Sequence, residues 1–365
     1  MKKRILALTL IVAGLPSCIK ISASPFDTSQ GADGLAGFLA TLLLSSTSML
    51  YVAVGDQGKS YTSSDGRTWT AQTGAGSTIT FNAIAWNGSR FFAAGGNTAP
   101  QAVIYSSADG ITWTNVFTSG TGTGATTFND IAFTSGKLIA VGQINLSTAL
   151  IRTSSDGATW STGSGATANV MRIAGDGTNF MAVQQPGSGT VGAYKSSDGI
   201  TFTAVNQPFA TIGKPSIAGD LIFASSRFIF AGSDDSTSAT PPSRSSFTTD
   251  LGATTWTADS TNKIFAGNAA GEYARALAYN GTRLEAVGDN CRVDFTTNLT
   301  SLSWSSTALT MSGCSAINWK GMIWDGSKFV AVGSSGKFAA SATGASTDWT
   351  YTTLGSSNVN AIAVR

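Results

Sequence analysis

The stretch IAWNGSRFFAAGG, residues 84–96, decides the fold, because five further segments of the chain repeat its pattern. In each copy an apolar strand, a short turn and a second apolar strand follow one another, which predicts a β-hairpin. The dipeptides Asn87-Gly88, Asn280-Gly281 and Asp325-Gly326 predict two-residue turns with a positive φ at both turn positions. The other copies begin at Ile131, Ile173, Ile222, Leu277 and Met322.

A second repeated element follows each hairpin. Its four clear copies read Ser-x-Asp-Gly-x-Thr followed by Trp or Phe, and three degenerate copies keep only part of that pattern. The aromatic residues recur every 40 to 55 residues or so, and units of roughly this length with four short strands are typical of β-propeller blades. These aromatic residues are Trp69, Trp113, Trp160, Phe202, Trp256, Trp304 and Trp349.

The two ends of the repeat region complete one blade. Residues 49–55 match the second strand of the other units, and residues 358–364 match the first strand that this unit lacks. Such a closure removes the open sheet edges that favour aggregation. The sequence therefore predicts an all-β fold over residues 49–365. It is a seven-bladed β-propeller of four-stranded antiparallel blades, with one blade shared by both ends.

The Ser-x-Asp-Gly-x-Thr-Trp elements resemble Asp-boxes, also called BNR repeats. These occur in sialidases, sortilin-like receptors and photosystem II assembly factors. The resemblance covers residues 49–365 and implies a turn between the third and fourth strands of a blade. Its Asp side chain would accept backbone N–H hydrogen bonds, and its Trp would pack between blades. Repetition around the ring favours structure over catalysis, so a structural role is predicted for Asp65, Asp109, Asp156, Asp198 and Asp250.

The N-terminal residues have the features of an export signal. Three basic residues precede the apolar stretch 5–15, which is too short to span a bilayer. The sequence Leu15-Pro16-Ser17-Cys18 resembles the lipobox of bacterial lipoproteins, which implies acylation of Cys18. The alternative is an ordinary secretory signal. We predict a signal peptide over residues 1–17 and a lipidated tether over residues 18–48, which includes the apolar stretch 35–44.

Acylation at Cys18 would make the lipid chains the membrane anchor, because no later stretch has the roughly 18 apolar residues of a membrane span. The predicted location is the bacterial cell envelope, at the outer membrane. A monomer is expected. The sequence does not indicate what the 35–44 stretch does.

Composition excludes several classes of function. The 365 residues include 22 Lys and Arg, 20 Asp and Glu, and no His, for a formal net charge of +2. Without histidine, a Ser-His-Asp triad and a His-ligated metal are excluded. Near-neutral charge without a basic run argues against a nucleic-acid partner. No catalytic residue, metal site or cofactor is predicted.

The innermost strands carry an unusual set of polar residues. Such strands line a narrow channel and are normally apolar or small, yet here charges collect near the mouth on the face where propellers usually bind ligands. One interpretation is a pocket for an acidic or hydroxyl-rich ligand, because Arg pairs well with carboxylates and sulfates. The other is a water-filled channel whose charges pair with each other. The charged residues are Asp130, Arg172, Asp220, Arg275 and Lys320.

Two contacts are predicted within and beside the sixth unit. Glu285 stands at a position that is apolar in other units, and Arg275 on the neighbouring strand is its expected ion-pair partner. Cys291 and Cys314 fall on the same face of the propeller. Exported proteins meet oxidising conditions, so a disulfide between these two cysteines is predicted.

Three functions remain open from the sequence. The favoured one is a lipid-anchored, non-catalytic binding or scaffolding module for a protein or glycan ligand. A sialidase-like glycan hydrolase is an alternative, for which the pair Glu272-Tyr273 would be the first to test. The third is an assembly factor for an envelope complex, similar to the photosystem II factor. Fold alone does not separate these functions.

Overall fold

A computed structural model describes residues 49–122, 124–184, 192–206, 208, 214–249, 256–258, 263–265, 272–305 and 309–365, without the side chains of 214–217 and 233–235. The predicted signal peptide, Cys18 and the 18–48 tether lie outside these residues, as does Asp250. Among the described residues, no helix has the length and apolar character needed to cross a membrane.

The described chain forms 27 β-strands. In chain order they are β1 (Tyr51–Gly55), β2 (Ser60–Ser63), β3 (Thr70–Gln72), β4 (Ile79–Trp86), β5 (Phe91–Asn97), β6 (Ala102–Ser107), β7 (Thr114–Thr118), β8 (Thr127–Thr134), β9 (Lys137–Ile144), β10 (Thr148–Ser154), β11 (Ser161–Thr162), β12 (Val170–Gly175), β13 (Phe180–Gln184), β14 (Ala193–Ser196), β15 (Thr203–Val205), β16 (Lys214–Ala224), β17 (Arg227–Asp235), β18 (Ser243–Thr248), β19 (Thr257–Ala258), β20 (Ala274–Tyr279), β21 (Leu284–Gly288), β22 (Val293–Thr296), β23 (Trp319–Trp324), β24 (Phe329–Gly333), β25 (Lys337–Ser341), β26 (Thr350–Thr353) and β27 (Val359–Val364).

These strands form seven antiparallel sheets, which are the blades of a propeller, and this confirms the predicted fold class. Blade 1 has the order β27-β1-β2-β3, and β27 pairs with β1 from Tyr51 opposite Val364 to Gly55 opposite Val359. The predicted closure by both ends is therefore confirmed. Blades 2 to 5 are β4–β7, β8–β11, β12–β15 and β16–β19; blade 6 has β20–β22 within the described residues, and blade 7 is β23–β26.

The antiparallel order divides the loops between two faces. Turns from the first to the second strand and from the third to the fourth lie on what we call the turn face. Turns from the second to the third strand and the connections between blades lie on what we call the link face. On the link face, blades 1, 6 and 7 each have a 3₁₀ turn after their second strand: Asp56–Gly58, Asp289–Cys291 and Ser334–Gly336.

The Ser-x-Asp-Gly elements form the turns between the third and fourth strands. In blade 1, Asp65 Oδ1 accepts the backbone N–H of Arg67 at 2.8 Å and of Thr68 at 2.6 Å, while Ser63 Oγ accepts that of Gly66 at 2.9 Å. Gly66 has a φ of 69°, which suits glycine. The same bonds recur at Asp109, Asp156 and Asp198.

The degenerate copies reach a similar turn with other acceptors. In blade 6 the side-chain oxygen of Asn298 accepts the N–H groups of Thr300 and Ser301. In blade 7 the acceptor is Asp348, whose Oδ2 takes the N–H of Thr343 at 2.9 Å. Asp348 directly precedes Trp349, so a different position in the element supplies the carboxylate. A local acceptor is therefore kept while the sequence pattern is lost.

The aromatic residue of each element packs against the preceding blade. Trp69 of blade 1 is buried and stacks on Phe338 of blade 7 with ring centroids 4.4 Å apart. Trp304 of blade 6 belongs to one apolar cluster with Ile229 and Phe247 of blade 5. These contacts bury large apolar surfaces between neighbouring sheets.

The hairpin turns differ from the prediction. Gly88 has a φ of 94°, but Asn87 does not have a positive φ. Instead the Asn87 side-chain oxygen accepts the N–H groups of Ser89 and Arg90, and Asn87 N–H donates to the Arg90 carbonyl. The side chain thus replaces a backbone acceptor, and only glycine needs the left-handed conformation. The expectation of positive φ at both positions is therefore wrong for this turn, and the turns at Asn280 and Asp325 follow the same pattern.

Trp69→Ala should lower the free energy of unfolding by about 3 kcal/mol or more, because it leaves a cavity where the ring stacks between blades 7 and 1. Urea unfolding monitored by circular dichroism measures the change. Ser64→Ala, at an exposed position in the same turn, is the control and should change the value by less than about 0.5 kcal/mol. Equal effects of the two substitutions would contradict the inter-blade role of Trp69.

Candidate functional site

Each innermost strand contains a β-bulge at an equivalent position. In β4 the pairing shifts between Phe81 and Ala83, which leaves Asn82 without a partner in the ladder. The extra residue of such a bulge re-aims its side chain. Aligning the repeats of the sequence with one another identified these positions but did not predict the bulge. The bulge residues are Asn82, Asn129, Met171, Gly219, Arg275, Lys320 and Asn360.

A cavity of about 480 Å³ lies among the seven innermost strands. All five residues that the sequence singled out as charged channel residues line it, so the structure brings them together. The bulge asparagines line it as well. The charged lining residues are Asp130, Arg172, Asp220, Arg275, Asp289 and Lys320.

Bulge asparagines link each blade to the next. The side-chain N–H of Asn360 donates to the Phe81 carbonyl at 2.8 Å, and that of Asn82 donates to the Phe128 carbonyl at 2.7 Å. Asn129 repeats the contact at 2.9 Å with Val170. Blades 1 to 4 are therefore joined around the channel by hydrogen bonds from side-chain amides to backbone carbonyls of the next blade.

Charged side chains continue this linkage. Asp130 of blade 3 accepts the N–H of Ile173 in blade 4 at 3.0 Å. Arg172 Nε of blade 4 donates to the Gly219 carbonyl of blade 5 at 2.7 Å, and Asp220 of blade 5 accepts the N–H of Leu277 in blade 6 at 2.8 Å. Three of the predicted ligand-binding residues are therefore already hydrogen-bonded to backbone groups of the next blade: Asp130, Arg172 and Asp220.

Burial raises the pKa of both aspartates in this series of contacts. Burial raises the pKa of Asp130 to about 6, although nearby Arg172 acts in the opposite direction. The pKa of Asp220 is also raised by burial and lowered in part by the same guanidinium. Both carboxylates are half-buried in the narrow channel, where little water can stabilise their charge.

Arg275 is paired with a carboxylate that the sequence analysis did not select. Its NH2 lies 3.0 Å from Asp289 Oδ2, and its Nε contacts both oxygens of Asp289 at 3.2 Å. In blade 1, Asp56 holds the corresponding bulge residue, because its Oδ1 accepts from Asn360 at 2.8 Å. Both carboxylates end a repeated motif, Ala-Val-Gly-Asp at 53–56 and 286–289, which is the sequence signal that could have identified them.

Lys320 differs from the other charged residues of the cavity. It is half-buried at the bulge of blade 7, and within the part of the chain that the structure describes it makes no hydrogen bond or ion pair. Its ammonium group therefore keeps three donors for a ligand or for water. The other charged lining residues have partners. Arg275 pairs with Asp289, and Asp130, Arg172 and Asp220 are hydrogen-bonded to backbone groups.

The predicted ion pair between Glu285 and Arg275 is wrong. Glu285 is fully buried and pairs with Arg283, whose Nε lies 2.5 Å from Glu285 Oε2. Arg283 directly precedes β21 and lies two residues before Glu285, which brings the two side chains together, whereas the bulge directs Arg275 to the channel. Burial raises the pKa of Glu285 against the opposing effect of Arg283.

Two other features of blade 6 lie outside the cavity lining. Glu272, which the sequence paired with Tyr273 as a catalytic candidate, is buried and lies 2.7 Å from Arg292 Nε. Cys291 and Cys314 form a disulfide with Cα atoms 5.8 Å apart. This bond ties the 3₁₀ turn of blade 6 to the connection that leads into blade 7.

The cavity suits a polar or anionic group. Its lining consists mainly of amide and charged side chains, plus the unengaged ammonium of Lys320. Among the described residues, the buried Oδ1 of Asn360 has no hydrogen-bond partner. A carboxylate would gain a charge-assisted hydrogen bond there. The described residues contain no group of three or more Cys, Asp or Glu placed to hold a metal ion.

Comparison with known proteins adds a likeness of fold. No family profile matches the chain, and no curated protein sequence matches it. A solved structure described as YCF48 bound to D1 peptide superposes with a TM-score of 0.55 at 14% sequence identity. The match covers 78% of this chain and 86% of that chain. At this identity the likeness shows the propeller fold alone.

The perturbed carboxylates predict an acidic stability optimum. Burial raises the pKa of Asp130 and of Asp294, whose carboxylate is enclosed in blade 6, to about 6. Their contribution to stability is present below about pH 4 and is lost as the pH rises through 6. Backbone N–H donors instead hold the pKa of Asp156 and Asp198 at about 2. Stability from these is present above about pH 4 and is lost as the pH falls through 2.

The melting temperature should therefore be highest near pH 4 to 5 and fall by about a few degrees by pH 7. Scanning calorimetry across this range measures the profile. Asp130→Asn should flatten the fall between pH 4 and 7, whereas Asp156→Asn should leave that limb unchanged and reduce only the loss below pH 4. An optimum at neutral pH would contradict the burial effect.

Proposed function

We propose that this chain is a non-catalytic binding module that takes an acidic segment of a protein ligand at the link-face mouth of its central channel. The single observation that carries this is Lys320, an unengaged ammonium in a polar cavity whose other charges have partners. A ligand carboxylate would attract this ammonium group and accept a charge-assisted hydrogen bond from it.

The surrounding residues would act as a rigid frame for that contact. Arg172, Asp130 and Asp220 are held by backbone groups of neighbouring blades, and Arg275 is held by Asp289. A preorganised frame reduces the entropy lost on binding. The bulge asparagines Asn82 and Asn129 line the cavity, where their amide oxygens would accept peptide N–H groups.

A peptide ligand is favoured over a glycan by the comparison with a similar fold. The similar propeller is described as YCF48 bound to D1 peptide, which supports a peptide-binding or assembly role for this chain too. A hydrolase is less favoured, because Glu272 is engaged by Arg292 rather than presented with Tyr273. The role of scaffold in an envelope complex is a form of the same binding function.

The proposed module is attached to the cell envelope through acyl chains on Cys18. The support is the basic and apolar N-terminus and the lipobox-like Leu15-Pro16-Ser17-Cys18. The apolar chains contribute about 0.8 kcal/mol for each buried methylene, which is enough for an anchor when more than one chain is present. The outer membrane is the proposed site.

Lys320→Ala should weaken binding of acidic peptides about tenfold, because it removes the unengaged charge without breaking a contact within the described chain. An array of acidic peptides with free carboxyl termini, followed by titration of the best binder, measures the effect. Lys59→Ala is the matched control, since Lys59 is exposed at the link face and does not line the cavity. Equal weakening by both variants, or release of sugar from a glycan panel, would contradict the proposal.

Cys18→Ser should remove the mass of the acyl chains and shift the protein out of the membrane fraction. Ser22→Ala, four residues further on, is the control and should leave both mass and fractionation unchanged. Intact-mass spectrometry and membrane sedimentation measure the two effects. An unmodified parent protein would contradict the anchor and leave the binding role to be judged by the peptide titration.

A further inference from the structure

Among the described residues, the exposed large apolar side chains are concentrated on one face of the propeller. The described chain has six large hydrophobic residues that are exposed, and five of them lie on the turn face. Leu146, in the turn after β9, is the exception on the link face. The five are Met49, Ile111, Phe133, Ile200 and Phe223.

The repeat explains where these side chains lie. Ile111 and Ile200 follow the glycine of the Ser-x-Asp-Gly turns, and Phe133 and Phe223 stand near the ends of the first strands β8 and β16. The equivalent end positions in blades 2, 6 and 7 are also aromatic and half-buried: Trp86, Tyr279 and Trp324. The turn face therefore has an inner ring of aromatic residues in five of the seven blades, which is interrupted by Gly175 in blade 4 and Val364 in blade 1.

Basic residues accompany this ring. The residue that starts the second strand, or just precedes it, is Arg90 in blade 2, Lys137 in blade 3 and Arg227 in blade 5. The guanidinium of Arg365 lies over the Trp86 ring, 5.6 Å from its centroid. Aromatic rings with neighbouring Arg and Lys are typical of surfaces at the boundary between lipid headgroups and acyl chains.

The first and last described residues of the propeller also lie at this face. Met49 directly precedes β1, and Leu50 exchanges backbone hydrogen bonds with Arg365 at 3.1 and 3.3 Å. The start of β1 and the end of β27 both lie on the turn face. Met49 and Leu50 therefore lie on the face that carries most of the exposed large apolar side chains of the described residues.

We infer that the turn face rests on a lipid bilayer surface, with its exposed apolar side chains inserted among the headgroups. The inference rests on the proposed anchoring only for delivery to the membrane. Acidic residues of the Ser-x-Asp-Gly turns are interleaved with the basic ones, so insertion rather than net charge holds this contact. The link-face mouth with Lys320 then points away from the bilayer, toward a protein ligand.

The test is hydrogen–deuterium exchange of the full chain with and without phosphatidylcholine vesicles. Turn-face amides, such as those of the Asn87–Arg90 turn, should exchange roughly fivefold more slowly with vesicles, while link-face amides near Leu146 stay unchanged. The variant with Ile111→Ser, Phe133→Ser, Ile200→Ser and Phe223→Ser should lose this slowing. Because these side chains are exposed, Phe133→Ser with Phe223→Ser provides a milder second variant. Leu146→Ser is the matched control and should behave as the parent.

All variants are identical before Met49, so differences between them report the turn face alone. Protein that remains with the vesicles without turn-face slowing would retain its anchor and overturn the docking. Absence of association, slowing on both faces, or association that requires anionic lipid and disappears in salt would also overturn it. Turn-face slowing without vesicles that grows with protein concentration would assign the surface to a second copy of the chain instead.

Discussion

Seven innermost strands meet around one channel, and their inward edges present backbone N–H and C=O groups that no neighbouring strand pairs. Buried groups of this kind need partners. Here the partners are side chains: Asn360, Asn82 and Asn129 donate to carbonyls of the next blade, and Asp130 and Asp220 accept from its N–H groups. The bulge turns each asparagine out of the ladder and toward the adjoining blade, and Asp130 and Asp220 directly follow the bulge residues of their strands. Closure of the ring and the polarity of the channel therefore have one cause.

This shared cause constrains where a ligand can bind. A charge that completes a backbone contact is costly to divert, since its removal leaves buried polar groups without partners. Arg172 and the two aspartates are committed in this way, and Arg275 is committed to Asp289. The bulge residue of blade 7 makes no such contact among the described residues, so Lys320 is the charge that remains available. The opposite face is built from tight polar turns, among which most of the exposed large apolar side chains of the described residues lie.

The sequence predicted the ring because its signals are local and repeated. The hairpin pattern from Ile84 and the turn at Asp65 each recur at a blade-sized spacing, and the strand at Val359 completes the first blade. The channel positions followed from aligning these repeats. The ion-pair partners could not be predicted in this way, because they depend on the bulge. One extra residue directs Arg275 to the channel, and Glu285 pairs with Arg283 instead. The structural carboxylate of Asp348 was not predicted for a related reason. Its turn keeps the hydrogen bond to a carboxylate, but a different position of the repeat supplies that carboxylate.

The most direct test of the channel mouth as a binding site is lysine footprinting of the full chain by an amine-reactive reagent, with and without a bound acidic peptide. Our account predicts that the peptide protects Lys320, while Lys59 on the same face and Lys337 on the third strand of blade 7 react as before. Unchanged labelling of Lys320 beside a bound peptide would contradict the account.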